Sequence, residues 1–203
     1  MTASPDPLTG RVAPLLVDNV DTDIIIPSRE MRSTGRTGFA DGLFAPWRYS
    51  NAAERVENPE FVFNQPAYRG AAIMAVGANF GCGSSREHAV WALAEFGIRA
   101  IIGTGFAPIF RANCIRNGIL PVTLARPDVE RLAGEQATIR LAEQRIEAAG
   151  GADIPFAIEP EARQMLLEGL DAIDLTLTQC DTIAAWLAAD RVARPWVYRE
   201  ARP

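Results

Sequence analysis

The sequence predicts one α/β domain spanning residues 1–203. Three features carry that prediction. Apolar runs at residues 71–76, 99–103 and 119–124 alternate with helically spaced segments at 89–96 and 107–117, the pattern of parallel strands joined by crossover helices. Downstream, residues 137–141, 145–149 and 154–158 read as a meander, with turns at Glu143-Gln144 and Gly150-Gly151. A chain of 203 residues can bury one substantial core without requiring a second domain.

In chain order, residues 11–17 read as a strand, and Asp18-Asn-Val-Asp-Thr-Asp23 as a turn into the apolar run Ile24-Ile-Ile26, after which Pro27 ends regular pairing. Asp18, Asp21 and Asp23 suit turns closed by carboxylates; a calcium loop needs more oxygen ligands at better spacing. Residues 28–66 carry Arg29, Arg32, Arg36, Arg48 and Arg55 among glycines, aromatics and prolines with little periodicity. They read either as a functional loop or as a solvated basic one. Gly118 suits the C-terminal cap of the 107–117 helix, a short helix follows at 128–134, and residues 160–169 and 178–190 read as two helices joined by 170–177. The last part is thus a helical extension near 160–203, with Trp186 and Trp196 as packing or subunit-contact residues.

The turn Asn79-Phe-Gly-Cys-Gly-Ser-Ser-Arg-Glu-His-Ala89 lies between the 71–76 strand and the 89–96 helix. Gly81 and Gly83 permit backbone angles closed to other residues, and a helix start offers unpaired N–H groups to an anion. Two readings compete. Ser84 caps the helix in a capping box with Glu87, or its hydroxyl faces a substrate while Arg86 and the amides hold negative charge beside it.

Composition narrows the function classes. The formal charge is −5 and no residue is lysine, so there is no Schiff-base amine and no basic stripe to suggest nucleic acid. No apolar run approaches the roughly 20 residues of a membrane span, and the first residues lack a basic, then apolar, signal pattern, so a cytoplasmic protein is expected. Cys82, Cys114 and Cys180 lie far apart and His88 is the one histidine, which argues for free thiols and against a metal centre within the chain.

The 79–89 block, followed by Trp91-Ala-Leu93 and by Gly105-Phe-Ala-Pro-Ile-Phe-Arg-Ala-Asn113, resembles the swivelling-domain signature of the aconitase superfamily, in particular that of bacterial 3-isopropylmalate dehydratase small subunits. The likeness extends to residues 17–27, to Arg36-Thr-Gly-Phe39, to Leu43-Phe44 with Trp47-Arg48, and to residues 169–177, so it covers nearly the whole chain. It implies a β/β/α layered fold with a mixed-sheet or barrel core. It also implies dehydration and rehydration interconverting 2-isopropylmalate and 3-isopropylmalate, in leucine biosynthesis. Ser84 would be the base, with Arg86 and the turn amides stabilising its oxyanion, and Ser85 would bind a substrate carboxylate. Arg36 would meet a carboxylate, Phe39 and Leu43 (with Met31 or Phe44) would contact a branched side chain, and Thr22 and Asp23 would orient the polar groups of the cleft. The Lewis acid would be a [4Fe-4S] cluster held by a large partner subunit, with none bound by this chain, which alone would be inactive. Cys82 and His88 are expected to pack, His88 also as a helix anchor. Alternatives within the resemblance are homoaconitate, citraconate or alkylmalate hydro-lyases; outside it stands a free-standing anion-binding module.

Overall fold

In the computed structural model, strand β1 (Leu8–Leu15) organises the sheet, because its two halves pair in opposite senses. Residues 12–15 lie parallel to one neighbour, while residues 8–11 lie antiparallel to another. The structure describes residues 3–31, 35–148 and 151–198, so Arg32 of the basic loop and Ala149 and Gly150 of the expected meander lie outside the described residues.

After β1 comes α1 (Thr22–Ile25), where a turn leading into a paired apolar run was expected. The cause is local: the Asp21 carboxylate accepts from Ile24 N at 2.8 Å and caps a helical turn that overrides the β preference of three isoleucines. The following stretch is not a solvated loop. It folds through α2 (Ala45–Arg48), β2 (Tyr49–Asn51) and β3 (Val56–Glu57) around an aromatic cluster in which Phe44 lies 5.7 Å from Phe61 and 6.1 Å from Phe63. Burying each such ring contributes about 2–3 kcal/mol, enough to hold an irregular segment in place.

The expected strand–helix alternation is present as β4 (Ile73–Val76), α3 (His88–Phe96), β5 (Ala100–Gly103), α4 (Pro108–Arg116) and β6 (Leu120–Thr123). α3 stops at Gly97, whose φ of 112° is open to glycine, and α4 starts on Pro108, whose missing N–H costs nothing in the first turn. Then follow α5 (Arg126–Leu132), β7 (Gln136–Arg140), β8 (Arg145–Ala148), β9 (Ile154–Pro155) and α6 (Pro160–Glu168). Residues 170–177, expected as a plain connection, contain α7 (Ala172–Leu177), because Asp171 and Asp174 form a reciprocal capping box. α8 (Cys180–Ala193) ends the regular structure.

The sheet order is β6-β5-β4-β1-β7-β8-β9, parallel from β6 to β1 and antiparallel from β1 to β9. Every residue of β4 and β5 is buried, as strands covered on both faces require. Their alternation feeds two cores. Met74 and Val76 meet Phe39, Phe80 and Leu93 on one face, and Ile73 and Ala75 meet Val122, Ile139 and Ile146 on the other. α7 and α8 bury no residue, and Ile173, Trp186 and Trp196 are exposed. Among the described residues, no helix is long and apolar enough to cross a membrane.

Candidate active site

The loops that leave the C-terminal ends of β1, β4 and β5 meet at one edge of the parallel half-sheet, the place where open α/β sheets bind ligands. The 79–87 loop is laced to both neighbours by its backbone. Phe80 N donates to Gly105 O at 3.1 Å and Phe80 O accepts from Ala107 N at 3.0 Å. On the other side Gly81 N donates to Val20 O at 2.8 Å, and Thr22 N donates to Cys82 O at 2.9 Å. Gly81 is required twice over: its φ is +76°, and a Cβ there would lie 2.1 Å from the Phe110 ring.

Thr22 fixes the next residue. Its buried hydroxyl accepts from Ser84 N at 3.2 Å and donates to Ser84 O at 3.3 Å. With its backbone held on both sides, Ser84 projects a hydroxyl that has no hydrogen-bond partner among the described residues. Ser84, Ser85 and Arg86 line a cavity of about 200 Å³ together with Thr22, Phe110 and Asn113. Arg86 is itself oriented: Nη1 donates to the Asp23 carboxylate and, at 3.1 Å, to Ser28 Oγ. Ser28 Oγ in turn donates to Asp23 at 3.5 Å.

Ser84 is not a helix cap. α3 begins at His88, no side chain caps it, and Glu87 accepts from Asn117 Nδ2 at 2.8 Å rather than closing back on Ser84. The helix end at the cavity is that of α4, whose first turn (Ala107, Pro108, Ile109, Phe110) lines it. The partial positive charge expected from the helix after the turn thus comes from the next helix.

Thr22, Asp23, Ser84, Ser85 and Arg86 are brought together, whereas Arg36, Phe39 and Leu43 are not. Arg36 stacks over the Trp91 ring at 5.5 Å and lines a separate recess of about 530 Å³ with Glu87, Arg116 and Asn117, which contains neither Ser84 nor Arg86. Phe39 and Leu43 are fully buried; Phe39 packs edge-on to His88 at 5.4 Å. The reason is Glu95, whose carboxylate accepts from Gly38 N (2.8 Å), Phe39 N (2.6 Å) and Ala40 N (3.1 Å) and turns the Phe39 ring inward. Burial works to raise the Glu95 pKa, but these three N–H bonds outweigh it and hold the carboxyl below its ordinary value. Two contributors escaped the sequence. Ser28 lies 58 residues from the Arg86 it supports, and nothing local marks Asn113 as a cavity residue.

The remaining conspicuous side chains are structural. His88 packs 4.8 Å from Trp91 with Nδ1 sealed and unpartnered. Asp18 accepts from Ala78 N at 2.7 Å and from Arg126, and these bonds lower its pKa. Cys114 is buried in the core, which pushes its thiol pKa well up, and Cys180 is exposed on α8. Among the described residues, no three His, Cys, Asp or Glu side chains converge as metal ligands.

Chemically the cavity offers two free hydroxyls, a tethered guanidinium and a helix start, all suited to an oxygen-rich anion beside a hydroxyl that can exchange a proton. Residues 6–127 match the Aconitase C-terminal domain family. The chain is 53% identical over 197 residues to a 3-isopropylmalate dehydratase small subunit of Cupriavidus necator, covering 93% of this chain and 95% of that one. It is 49% identical to the protein of the same name from Rhodospirillum centenum, covering 93% and 96%. Among solved structures it resembles a 3-isopropylmalate dehydratase of Methanocaldococcus jannaschii, with TM-score 0.66, 28% identity, and coverage of 87% of this chain and 96% of that one. The polar cavity, the mixed sheet and these matches agree, and the chain belongs to the family of 3-isopropylmalate dehydratase small subunits within the aconitase superfamily.

Proposed function

We propose that this chain works as one half of a cytoplasmic hydro-lyase in leucine biosynthesis, closing over a diacid held against a large partner subunit and interconverting 2-isopropylmalate and 3-isopropylmalate. The observation that carries this reading is the Ser84 hydroxyl: fixed by Thr22, unpartnered, and open to a cavity that also presents Arg86.

In that reading Ser84 Oγ, as an alkoxide, takes the proton from the carbon beside a substrate carboxylate while the C–O bond on the adjacent carbon breaks and hydroxide leaves, a departure that a Lewis acid of the partner subunit would assist. On rehydration the hydroxyl adds to the deprotonated carbon and the proton goes to the carbon that lost the hydroxyl. A serine alkoxide is costly in water, and a preorganised guanidinium lowers that cost. Asp23 and Ser28 keep Arg86 in place, so little reorganisation is needed at the moment of transfer. Ser85 and the first turn of α4 are suited to hold a carboxylate. The carboxylate-binding role expected for Arg36, and the side-chain contacts expected for Phe39 and Leu43, require residues 38–40 to leave Glu95 and Arg36 to leave Trp91.

The residues present do not fit an iron–sulfur cluster. About three or four thiolates are needed, and Cys82, Cys114 and Cys180 lie apart in the 79–87 loop, the core and an exposed helix. In this reading the [4Fe-4S] cluster implied by the family is carried by the large subunit. The test is anaerobic reconstitution with a cluster-bearing large subunit and assay on 2-isopropylmalate, homoaconitate and citraconate. Turnover of 2-isopropylmalate is expected, and Ser84→Ala should cut it about a hundredfold or more while the complex and the melting temperature are unchanged. A Ser84→Ala complex as active as wild type would remove the base.

A further inference from the structure

One polar group in the cavity has no role in the scheme above. Asn113 is 3% exposed, yet it lines the Ser84 cavity. Its position on α4 explains how. Asn113 follows Ile109 by four residues and Phe110 by three, so the three share a helix face, and that face is the cavity wall.

The amide's orientation is set from outside the cavity. Arg116 Nη2 donates to Asn113 Oδ1. A guanidinium has only donors, so the oxygen must face it and the NH₂ group must turn the other way. That Nδ2 donates to none of the described residues. It is not sealed either: the sealed, unpartnered polar atoms among the described residues are Arg48 Nε, Arg55 Nη1, His88 Nδ1, Trp91 Nε1, Thr104 Oγ1 and Arg163 Nε, and Asn113 Nδ2 is absent from that set. A buried amide with its acceptor satisfied and its donors open to a cavity is arranged for an acceptor that arrives from solution.

We propose that Asn113 Nδ2 donates a hydrogen bond to a carboxylate oxygen of the diacid bound in the Ser84 cavity, with Arg116 as the positioning residue that fixes the amide. The inference rests on the hydro-lyase reading and adds to it a substrate-binding group. The chemistry is consistent with the rest of the wall, where Ser85, Arg86 and the start of α4 also offer donors. An oxygen anion completes such a site, whereas an apolar group would leave the amide unpaired.

The experiment uses the reconstituted two-subunit complex with 2-isopropylmalate as probe. Asn113→Asp keeps the shape and the acceptor for Arg116 but presents an oxygen, without donors, to the substrate carboxylate. KM should rise about tenfold or more, with kcat changed far less and subunit affinity unchanged. Arg116→Met, at an exposed position that cannot unfold the domain, should raise KM a few-fold by freeing the amide to flip. It decides the matter if the Asp variant fails to fold. A wild-type complex that turns over while both variants match its KM overturns this inference alone. A wild-type complex inert on 2-isopropylmalate overturns the hydro-lyase reading and this inference with it.

Discussion

Two segments pack against α3 or lead into it, and they are held in different ways. Residues 80–84 are woven between residues 20–22 and 105–107 by backbone hydrogen bonds on both sides, and the hydroxyl of Thr22 closes the weave around Ser84. Residues 38–40 are held by side chains instead: the Glu95 carboxylate takes their three N–H groups, Arg48 Nη1 donates to Ala40 O at 2.9 Å, and the Phe39 ring is buried, with Arg36 resting on Trp91. The first arrangement fixes the backbone of Ser84, which suits the proton-transferring role proposed for its hydroxyl. The second has no backbone weave, and the move that the proposed role of Arg36 requires would break the Glu95 and Arg48 bonds and uncover the Phe39 ring.

The contrast can be broken from either side. Gly81→Ala attacks the woven segment at its tightest point, placing a methyl into the Phe110 ring at a φ of +76°, and should cost about 3 kcal/mol, read as a fall in melting temperature. A variant as stable as wild type would mean the segment gives far more readily than its contacts imply. Thr22→Val keeps the shape and removes both bonds to Ser84. We expect about 1–2 kcal/mol of destabilisation and a roughly tenfold loss of turnover in the reconstituted complex.

Glu95→Gln should have the smallest effect on stability, about 1 kcal/mol or less because Glu95 lies at an exposed position, but the most local one: faster amide exchange at Phe39 and Ala40. Its pH dependence follows from the lowered pKa. The Glu95 contribution is present above the ordinary value of 4.5 and is lost as pH falls through the lower value of the folded protein. The difference between wild type and variant should therefore be flat above about pH 4.5 and shrink below it. A difference that grew on acidification would refute the anchor.

How much of this was legible in the sequence depended on whether the decisive partner was near or far along the chain. The strands at Ile73–Val76, Ala100–Gly103 and Leu120–Thr123 were, because a short apolar run between turn residues has few other uses. α1 and α7 were not, since each exists because of an aspartate cap that competes with an apolar run or a loop-like stretch. Ser84-Ser-Arg-Glu87 shows the same limit at the site. Its spacing fits a capping box, but Glu87 is claimed by Asn117, thirty residues on, and Ser84 by Thr22, sixty-two residues back. The pairing of Arg86 with Asp23 and the open donors of Asn113 are likewise products of the fold, which no local pattern could display.

The divided pairing of β1 has a consequence for how the molecule comes apart. Because residues 12–15 complete the parallel half and residues 8–11 the antiparallel half, withdrawing this one strand strips a wall from each of the two hydrophobic layers at once. The halves share a keystone rather than a seam, so thermal unfolding of the body should be one cooperative event seen alike by every spectroscopic probe. A protease cut near residue 134 should not liberate a fragment that stays folded.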